Sequence, residues 1–194
     1  MKYSKLDLGT IEAIMNKLGG EEGAERFLRG ELTVIVPKLL EFVTSVTVPE
    51  VKCFVVSDHF QHGKTVDGVK VWLGDNFTKH FLPKAEENVD GCEIRVHKLL
   101  RRSLDLGICS EIGAEREKTF LAHLWEMLKL QPSGENGALL TNSRANIFYV
   151  PDMEGVLMDV YACWGAVERA WYMDASSVGY QCEWWDAGCF VCSR

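Results

Sequence analysis

The change of residue pattern at Leu32 is the feature that most constrains this fold. Before it, apolar residues recur three and four positions apart, and after it come runs such as "FVTSVTVPEVKCFVVSD" and "GVKVWLGD", separated by Pro, Gly and Asp. The first spacing is typical of amphipathic helices, and runs of β-branched and aromatic residues are typical of strands. The sequence therefore predicts a helical region over residues 1–31 and an α+β body over residues 32–194.

Two short helices are predicted at the start of the chain. The first is expected to begin at Thr10, as its N-cap, and to end at Gly19. The second carries Glu21 and Glu22 in its first turn, where the helix dipole favours acidic residues, and is expected to end at Gly30. Together they predict a helical hairpin.

One long amphipathic helix is predicted from about residue 114 to 130, because its apolar residues share one face. From about residue 145, strand-like runs alternate with turn sequences at 151–155 and 165–169, as in an antiparallel meander. We expect the helix to pack on this C-terminal sheet. Residues 75–112 are left open, since "CEIRVHKLL" fits either a strand or a helix.

Charge and hydropathy limit the partners. The chain has a net charge of −7 at pH 7 and is 47% hydrophobic, enough for a core of its own. The negative charge opposes non-specific binding to nucleic acid or an anionic membrane, because both depend on Lys and Arg. No secretory signal or bilayer-spanning run is visible. We therefore expect a cytoplasmic protein with a protein or small-molecule partner and no membrane association.

The seven cysteines raise the question of metal binding. The closing "CFVC" has Phe and Val between Cys189 and Cys192, which favours a strand, and residues three apart in a strand point to opposite faces. A closed zinc site needs four ligands, which only Cys163 and Cys182 could complete. We predict a last strand with diverging thiols, and neither metal nor cofactor. A zinc site on these four cysteines is the alternative.

An enzymatic alternative rests on "DHFQH". Asp58, His59 and His62 could form an acid/base cluster beside Cys53, as in a thiol or histidine hydrolase. The two histidines are three residues apart without the Glu of a zinc-protease helix, so a solvated turn is the simpler interpretation. Whether the protein is an enzyme is left open.

A nucleic-acid alternative rests on two groups of basic residues. The stretch "EIRVHKLLRR" gathers basic side chains over residues 95–102, a candidate patch for phosphate, RNA or an acidic partner. The hairpin could be half of a helix-turn-helix, with Arg26 and Arg29 on its second helix. Its glutamates would face phosphate, which opposes this interpretation.

The preferred functional hypothesis is binding through an aromatic sheet face. Trp171, Trp184 and Trp185 lie in a short, tryptophan-rich block, and adjacent residues of a strand point to opposite faces, so one of them is expected to be exposed. Asn142 and Arg144 precede a predicted strand, where polar groups often line a binding site. These five residues are the predicted ligand or partner contacts.

Three segments resemble a group of uncharacterised bacterial proteins. They are "MNKLGGEEGAERFLRGEL", "GALLTNSRANIFYV" and "EWWDAGCFVCSR", which cover the two ends of the chain. The resemblance implies a bacterial, cytosolic protein and carries over no catalytic residue.

The prediction for "CFVC" is tested by counting thiols and metal in protein purified reduced and without added zinc. If the cysteines pack in a core, all seven thiols react once the protein is unfolded, and no stoichiometric metal is found. Zinc that protects about four thiols until a chelator is added would instead identify a ligand set.

Overall fold

The computed structural model describes residues 7–33, 37–179 and 185–194. The chain divides into two compact units after Pro37. The predicted boundary, after residue 31, lies close to this division. Each unit is described by itself.

The first unit is the predicted helical hairpin, with α1 at Leu8–Leu18 and α2 at Gly20–Leu28. The N-cap of α1 is Asp7, whose carboxylate accepts a hydrogen bond from the Thr10 backbone N–H at 2.7 Å. The prediction that Thr10 caps this helix was therefore wrong. Gly19 does end α1, with a φ of +97° that favours glycine.

The second unit contains strands and short helices. The strands are β1 (Leu40–Val48), β2 (Val51–Val55), β3 (Thr65–Val66), β4 (Val69–Leu73), β5 (Ala85–Val89), β6 (Cys92–Leu99), β7 (Asn146–Pro151), β8 (Leu157–Gly165), β9 (Ala170–Ser177) and β10 (Phe190–Ser193). The helices are α3 (Val56–His59), α4 (Asp75–Phe81), α5 (Asp105–Ile112), α6 (Ala114–Glu117) and α7 (Leu121–Lys129). In the described ranges, no helix has the length and apolar character needed to cross a membrane.

Eight strands form one mixed sheet in the order β1-β6-β10-β7-β8-β9-β4-β3, and β2 pairs with β5 in a second, smaller sheet. The predicted meander is confirmed for β7, β8 and β9, which are antiparallel neighbours. The prediction of an antiparallel sheet is wrong at two places, because β10 runs parallel to β7 and β4 runs parallel to β9. The α+β class is confirmed.

The sheet has two differently covered faces. On the first, which we call the α7 face, Leu124 of α7 shares a core with Val160 of β8 and with residues of α3 and α4. On the second, the α5 face, Ile108 of α5 shares a separate core with Ile147 of β7 and Val191 of β10. Side chains alternate between the two faces along each strand.

The long helix predicted over residues 114–130 was wrong, because it is broken into α6 and α7. Lys118 and Phe120 are extended, and the Thr119 backbone N–H donates to the Tyr149 carbonyl at 2.7 Å. This segment is thus hydrogen-bonded to β7, 30 residues further along the chain. The apolar face predicted for this helix is present within α7, whose Leu121, Leu124, Trp125 and Leu128 are buried.

The middle section combines helix and strand. Its first part contains α4 and β5 on either side of Pro83, and "CEIRVHKLL" is the strand β6. The run "TVIVP", which follows Leu32 and also has the residue pattern of a strand, lies mostly outside the described residues. A helix over Asp105–Ile112, α5, was not predicted.

A bulge at Val43 changes the direction of side chains along β1. Phe42 pairs with His97 and Thr44 with the preceding residue of β6, so Val43 has no partner in the ladder. Because of this extra residue, Leu40 lies in the core of the α5 face while Val48 lies in the core of the α7 face.

A buried carboxylate begins α7. Glu86 accepts hydrogen bonds from the backbone N–H groups of Leu121 at 3.1 Å and Ala122 at 2.9 Å, and its side chain is almost fully buried. Lys84 Nζ lies 2.9 Å from Glu86 and also donates to the Pro151 carbonyl. Free N–H groups at a helix start need such acceptors. Glu86 therefore ties β5 to the start of α7.

Replacing Glu86 by Gln should lower the free energy of unfolding by about 3 kcal/mol, because a buried ammonium loses its charged partner. Urea denaturation measures this. The matched control is Glu87→Gln, an exposed position on the same strand, which should change stability by less than about 0.5 kcal/mol. Equal losses in both variants would contradict the role given to Glu86.

Candidate functional site

A cavity of about 310 Å³ opens on the α5 face, where β4, β8 and β9 run side by side. We call it the aromatic cavity. Its lining residues are His62, Trp72, Leu73, Gly74, Tyr161, Tyr172, Met173 and Asp174. The size suits a small organic molecule and not a macromolecule.

Strand alternation brings the aromatic side chains of the cavity together. Trp72 and Tyr172 are partners in the parallel ladder of β4 and β9, and Tyr161 is the partner of Asp174 in the antiparallel ladder of β8 and β9. Trp171, next to Tyr172, lies in the core of the α7 face. Consecutive residues point to opposite faces, so these rings lie on the α5 face.

Asp174 supplies the negative charge of the cavity. Its Oδ1 accepts hydrogen bonds from the backbone N–H groups of Phe77 at 3.1 Å and Ala175 at 2.9 Å, so it also caps α4. Within the described ranges, Oδ2 has no hydrogen-bond partner. A Cβ at Gly74 would lie 2.2 Å from the Asp174 Cγ, so only glycine fits beside this carboxylate.

Trp72 supplies an unsatisfied donor. Its Nε1 is buried and has no hydrogen-bond partner in the part of the chain that the structure describes. The His62 ring packs edge to face on the indole at 4.9 Å and is held by a bond from the Leu73 N–H to its Nδ1. Lys70 Nζ lies 5.6 Å from the centre of the Trp72 ring, so this indole already has a cation–π contact within the protein.

A second layer of residues supports the cavity. Trp185 packs on Tyr161, with ring centres 5.2 Å apart, and its Nε1 donates to Asp105 Oδ1 at 2.8 Å. The Tyr149 hydroxyl donates to the same oxygen at 2.7 Å. This network fixes Trp185, and through it the ring of Tyr161.

The carboxyl groups of Asp105 and Asp159 form a buried pair in this layer. Burial raises the pKa of Asp105, while hydrogen bonds from Tyr149, Trp185 and Asp159 act in the opposite direction. Both residues are almost fully buried. Ionising two buried carboxyl groups near one another is costly, which acts in the same direction as the raised pKa of Asp105 and favours its neutral form.

The predicted tryptophan contacts fall in three different places. Trp171 is fully buried, and its Nε1 donates to the Gln131 carbonyl at 3.2 Å, so it offers no exposed surface. Trp184 lies outside the described residues. Trp185 is partly exposed and packs on Tyr161, one of the residues that line the cavity. Sequence reasoning missed Trp72 as a lining residue, although strand alternation within "VKVWL" already places it opposite the core.

Asn142 and Arg144 line a different cleft, just before the start of β7. Asn142 Oδ1 accepts a hydrogen bond from the Arg144 backbone N–H at 3.2 Å. The Arg144 guanidinium donates to the carbonyl of Ala187, just before β10. In this arrangement the two residues hold the segment that leads into the last strand.

The residues of the enzymatic alternative are not assembled into one site. Cys53 is exposed on β2, whereas the His59 ring stacks on Phe54 with ring centres 4.3 Å apart. Burial lowers the pKa of His59, and Asp67 partly offsets this. His62 belongs to the aromatic cavity. Among the described residues, no hydrogen bond joins Cys53 to either histidine.

The two thiols of "CFVC" diverge, as the strand pattern predicted. Cys189 lies in the core of the α5 face, and Cys192 lies in the core of the α7 face. Burial raises the pKa of both thiols. Over the described ranges, no three His, Cys, Asp or Glu side chains are placed to hold a metal. Cys182, named in the zinc alternative, lies outside those ranges.

The basic residues of the hairpin are paired within it. Arg29 lies 2.7 Å from Glu31 and 3.4 Å from Glu25, and Arg26 lies 3.5 Å from Glu31. Pairing with glutamate competes with binding to phosphate. The arrangement therefore gives the helix-turn-helix alternative no support.

Comparison of this chain with known proteins identified no relative. No protein-family model, no curated protein and no solved structure matches this chain. The resemblance to a group of uncharacterised bacterial proteins stays a prediction. The class of protein is thus defined by its fold alone, an α+β protein with a mixed eight-stranded sheet.

The carboxyl pair predicts how stability depends on pH. Folding raises the pKa of Asp105, so this residue stabilises the folded protein fully at pH values below its unfolded pKa. That stabilisation is lost as the pH rises through the folded pKa. Asp105→Asn keeps an oxygen acceptor and cannot ionise. Its free energy of unfolding should therefore fall less than that of the wild type between about pH 5 and about pH 8.

Urea denaturation at several pH values measures this difference. Asp186→Asn, an exposed position, is the matched control and should keep the pH profile of the wild type. If Asp105→Asn loses stability with rising pH as steeply as the wild type, folding does not raise the pKa of Asp105.

Proposed function

We propose that this protein is a non-enzymatic binding protein that holds a small organic cation in the aromatic cavity. The observation that carries the proposal is a cavity walled by aromatic rings, in which Asp174 keeps one carboxylate oxygen without a hydrogen-bond partner among the described residues.

The chemistry of the walls selects the charge of the ligand. Trp72, Tyr161 and Tyr172 present π-systems, which attract cations such as ammonium groups. The free Oδ2 of Asp174 adds a full negative charge, and the protein as a whole carries −7. Together these features favour a protonated or quaternary amine over an anion.

Choline is a suitable probe, because it carries a quaternary ammonium group and is small enough for the cavity.

The cavity is supported by rigid elements. Its three rings stand on adjacent strands of one sheet, and Asp174 is held by two backbone N–H groups. A site on paired strands keeps its geometry when empty, which lowers the entropic cost of binding. This supports a binding role without any chemical step.

Choline should bind more tightly than its neutral dimethylbutanol isostere, as measured by calorimetry and tryptophan fluorescence. Asp174→Asn should weaken choline binding about tenfold or more, because it removes the charge and keeps an oxygen for the α4 cap. Tyr172→Leu should weaken it by a few-fold to about thirtyfold through loss of a cation–π contact.

Asp58→Asn is the matched control, with the same change of charge at an exposed position outside the cavity. It should leave choline binding unchanged. Equal binding of choline and its neutral isostere, or unchanged binding in Asp174→Asn, would show that the cavity does not select cations.

A further inference from the structure

A second cavity, of about 330 Å³, lies on the α5 face at the opposite side of the sheet. It is bounded by β1, β6 and β10 and by the chain around the end of α5 and α6. We call it the basic cleft. Its polar lining residues are Lys38, Arg95, His97, Glu111, Arg116 and Ser193.

The positive charge of the cleft is only partly offset by its own acidic residue. Glu111 is the one acidic residue in its lining, and its two oxygens accept the backbone N–H groups of Leu39 at 2.7 Å and Leu40 at 3.0 Å. Lys38, Arg95 and Arg116 form no ion pair with any residue in the described ranges. Three cations therefore face one cavity on a protein whose net charge is −7.

Apolar side chains form part of the walls of the cleft. The bulge at Val43 leaves Phe42 beside Arg95, whose guanidinium lies 5.2 Å from the centre of the Phe42 ring. Leu40 and Ile112 complete the apolar part of the lining. The Phe42 ring thus holds the Arg95 guanidinium beside the cleft through a cation–π contact.

His97 adds a neutral polar group. Its Nδ1 is buried and lacks a hydrogen-bond partner among the residues described. Burial lowers the pKa of His97, and Arg95 lowers it further. The imidazole is therefore neutral at neutral pH and adds no charge to the cleft.

We propose that the basic cleft binds a phosphate dianion, either free or as the phosphate group of a small ester. Two guanidinium groups and one ammonium group suit an anion with two charges and several oxygens better than a single carboxylate. The cavity is too small for a folded macromolecule and is large enough for a phosphate with a short substituent.

The geometry opposes RNA as the ligand of the basic stretch. Arg95 and His97 line the cleft, but Lys98 points to the other face of β6 and lines a separate cleft. Arg102 lies beyond the strand, 3.7 Å from Asp186. The stretch is therefore divided between different surfaces and does not form the continuous basic track that a polynucleotide needs.

The test is a titration of the full-length protein with inorganic phosphate, followed by calorimetry and by amide chemical shifts. Saturable binding should weaken as ionic strength rises. Shift changes should centre on the residues of the cleft. Arg116→Gln should weaken binding about tenfold or more, since a charge-assisted bond is lost at an exposed position. Arg95→Gln should weaken it at least as much.

Lys98→Gln is the matched control, with the same change of charge on the same strand but outside the cleft. It should bind phosphate like the wild type. If Arg95→Gln does not fold, as judged by circular dichroism, Arg116→Gln alone decides the test, because its side chain is exposed and supports no core.

Glycerol phosphate, titrated in parallel, distinguishes the two sources of the anion. Tighter binding of the ester indicates an organic phosphate as the ligand, and tighter binding of inorganic phosphate indicates the free ion. Absence of saturable binding by both would overturn the proposal. It would equally be overturned if Lys98→Gln and Arg116→Gln caused the same loss, or if a homopolymeric RNA bound in place of phosphate.

Discussion

The insertion of β10 between β6 and β7 is the interaction on which the rest of the sheet depends. Its antiparallel ladder with β6 and its parallel ladder with β7 join the β1-β6 pair to the meander. The strand also links the two cores, because Val191 is buried on the α5 face and Cys192 on the α7 face. This short strand is therefore hydrogen-bonded on both edges and buried on both faces, so it joins the two parts of the sheet and the two cores.

Carboxylates position the elements around this sheet, and of the four concerned Glu86 and Asp105 are buried, whereas Asp174 is partly exposed and Glu111 is exposed. Glu86 caps α7, Asp174 caps α4, Glu111 holds the start of β1, and Asp105 holds the indole of Trp185. Each accepts N–H groups that would otherwise lack a partner. Part of the acidic composition is therefore structural. Glu111 offsets one of the three cationic side chains of the basic cleft, which leaves a net positive charge there.

The unequal covering of the two faces determines where ligands can bind. The α7 face is packed by α3, α4 and α7 into one large core. The core under the short helix α5 draws on β1, β6, β7 and β10, which leaves Trp72 and Tyr172 on the far strands to line an open cavity. Both proposed sites lie on this less covered face, at opposite sides of the sheet and with opposite charge.

Short-range patterns in the sequence determined the hairpin, most strand positions, the meander and the divergence of Cys189 and Cys192, because local periodicity and turn residues are enough to specify them. Only the tertiary structure decided the extended break at Lys118, the bulge at Val43, the central place of β10 and the pairing of β4 with β9. Each of these depends on hydrogen bonds between segments far apart in the chain, which local periodicity does not encode. The aromatic cavity follows from that pairing, since Trp72 and Tyr172 meet only across a long-range parallel ladder.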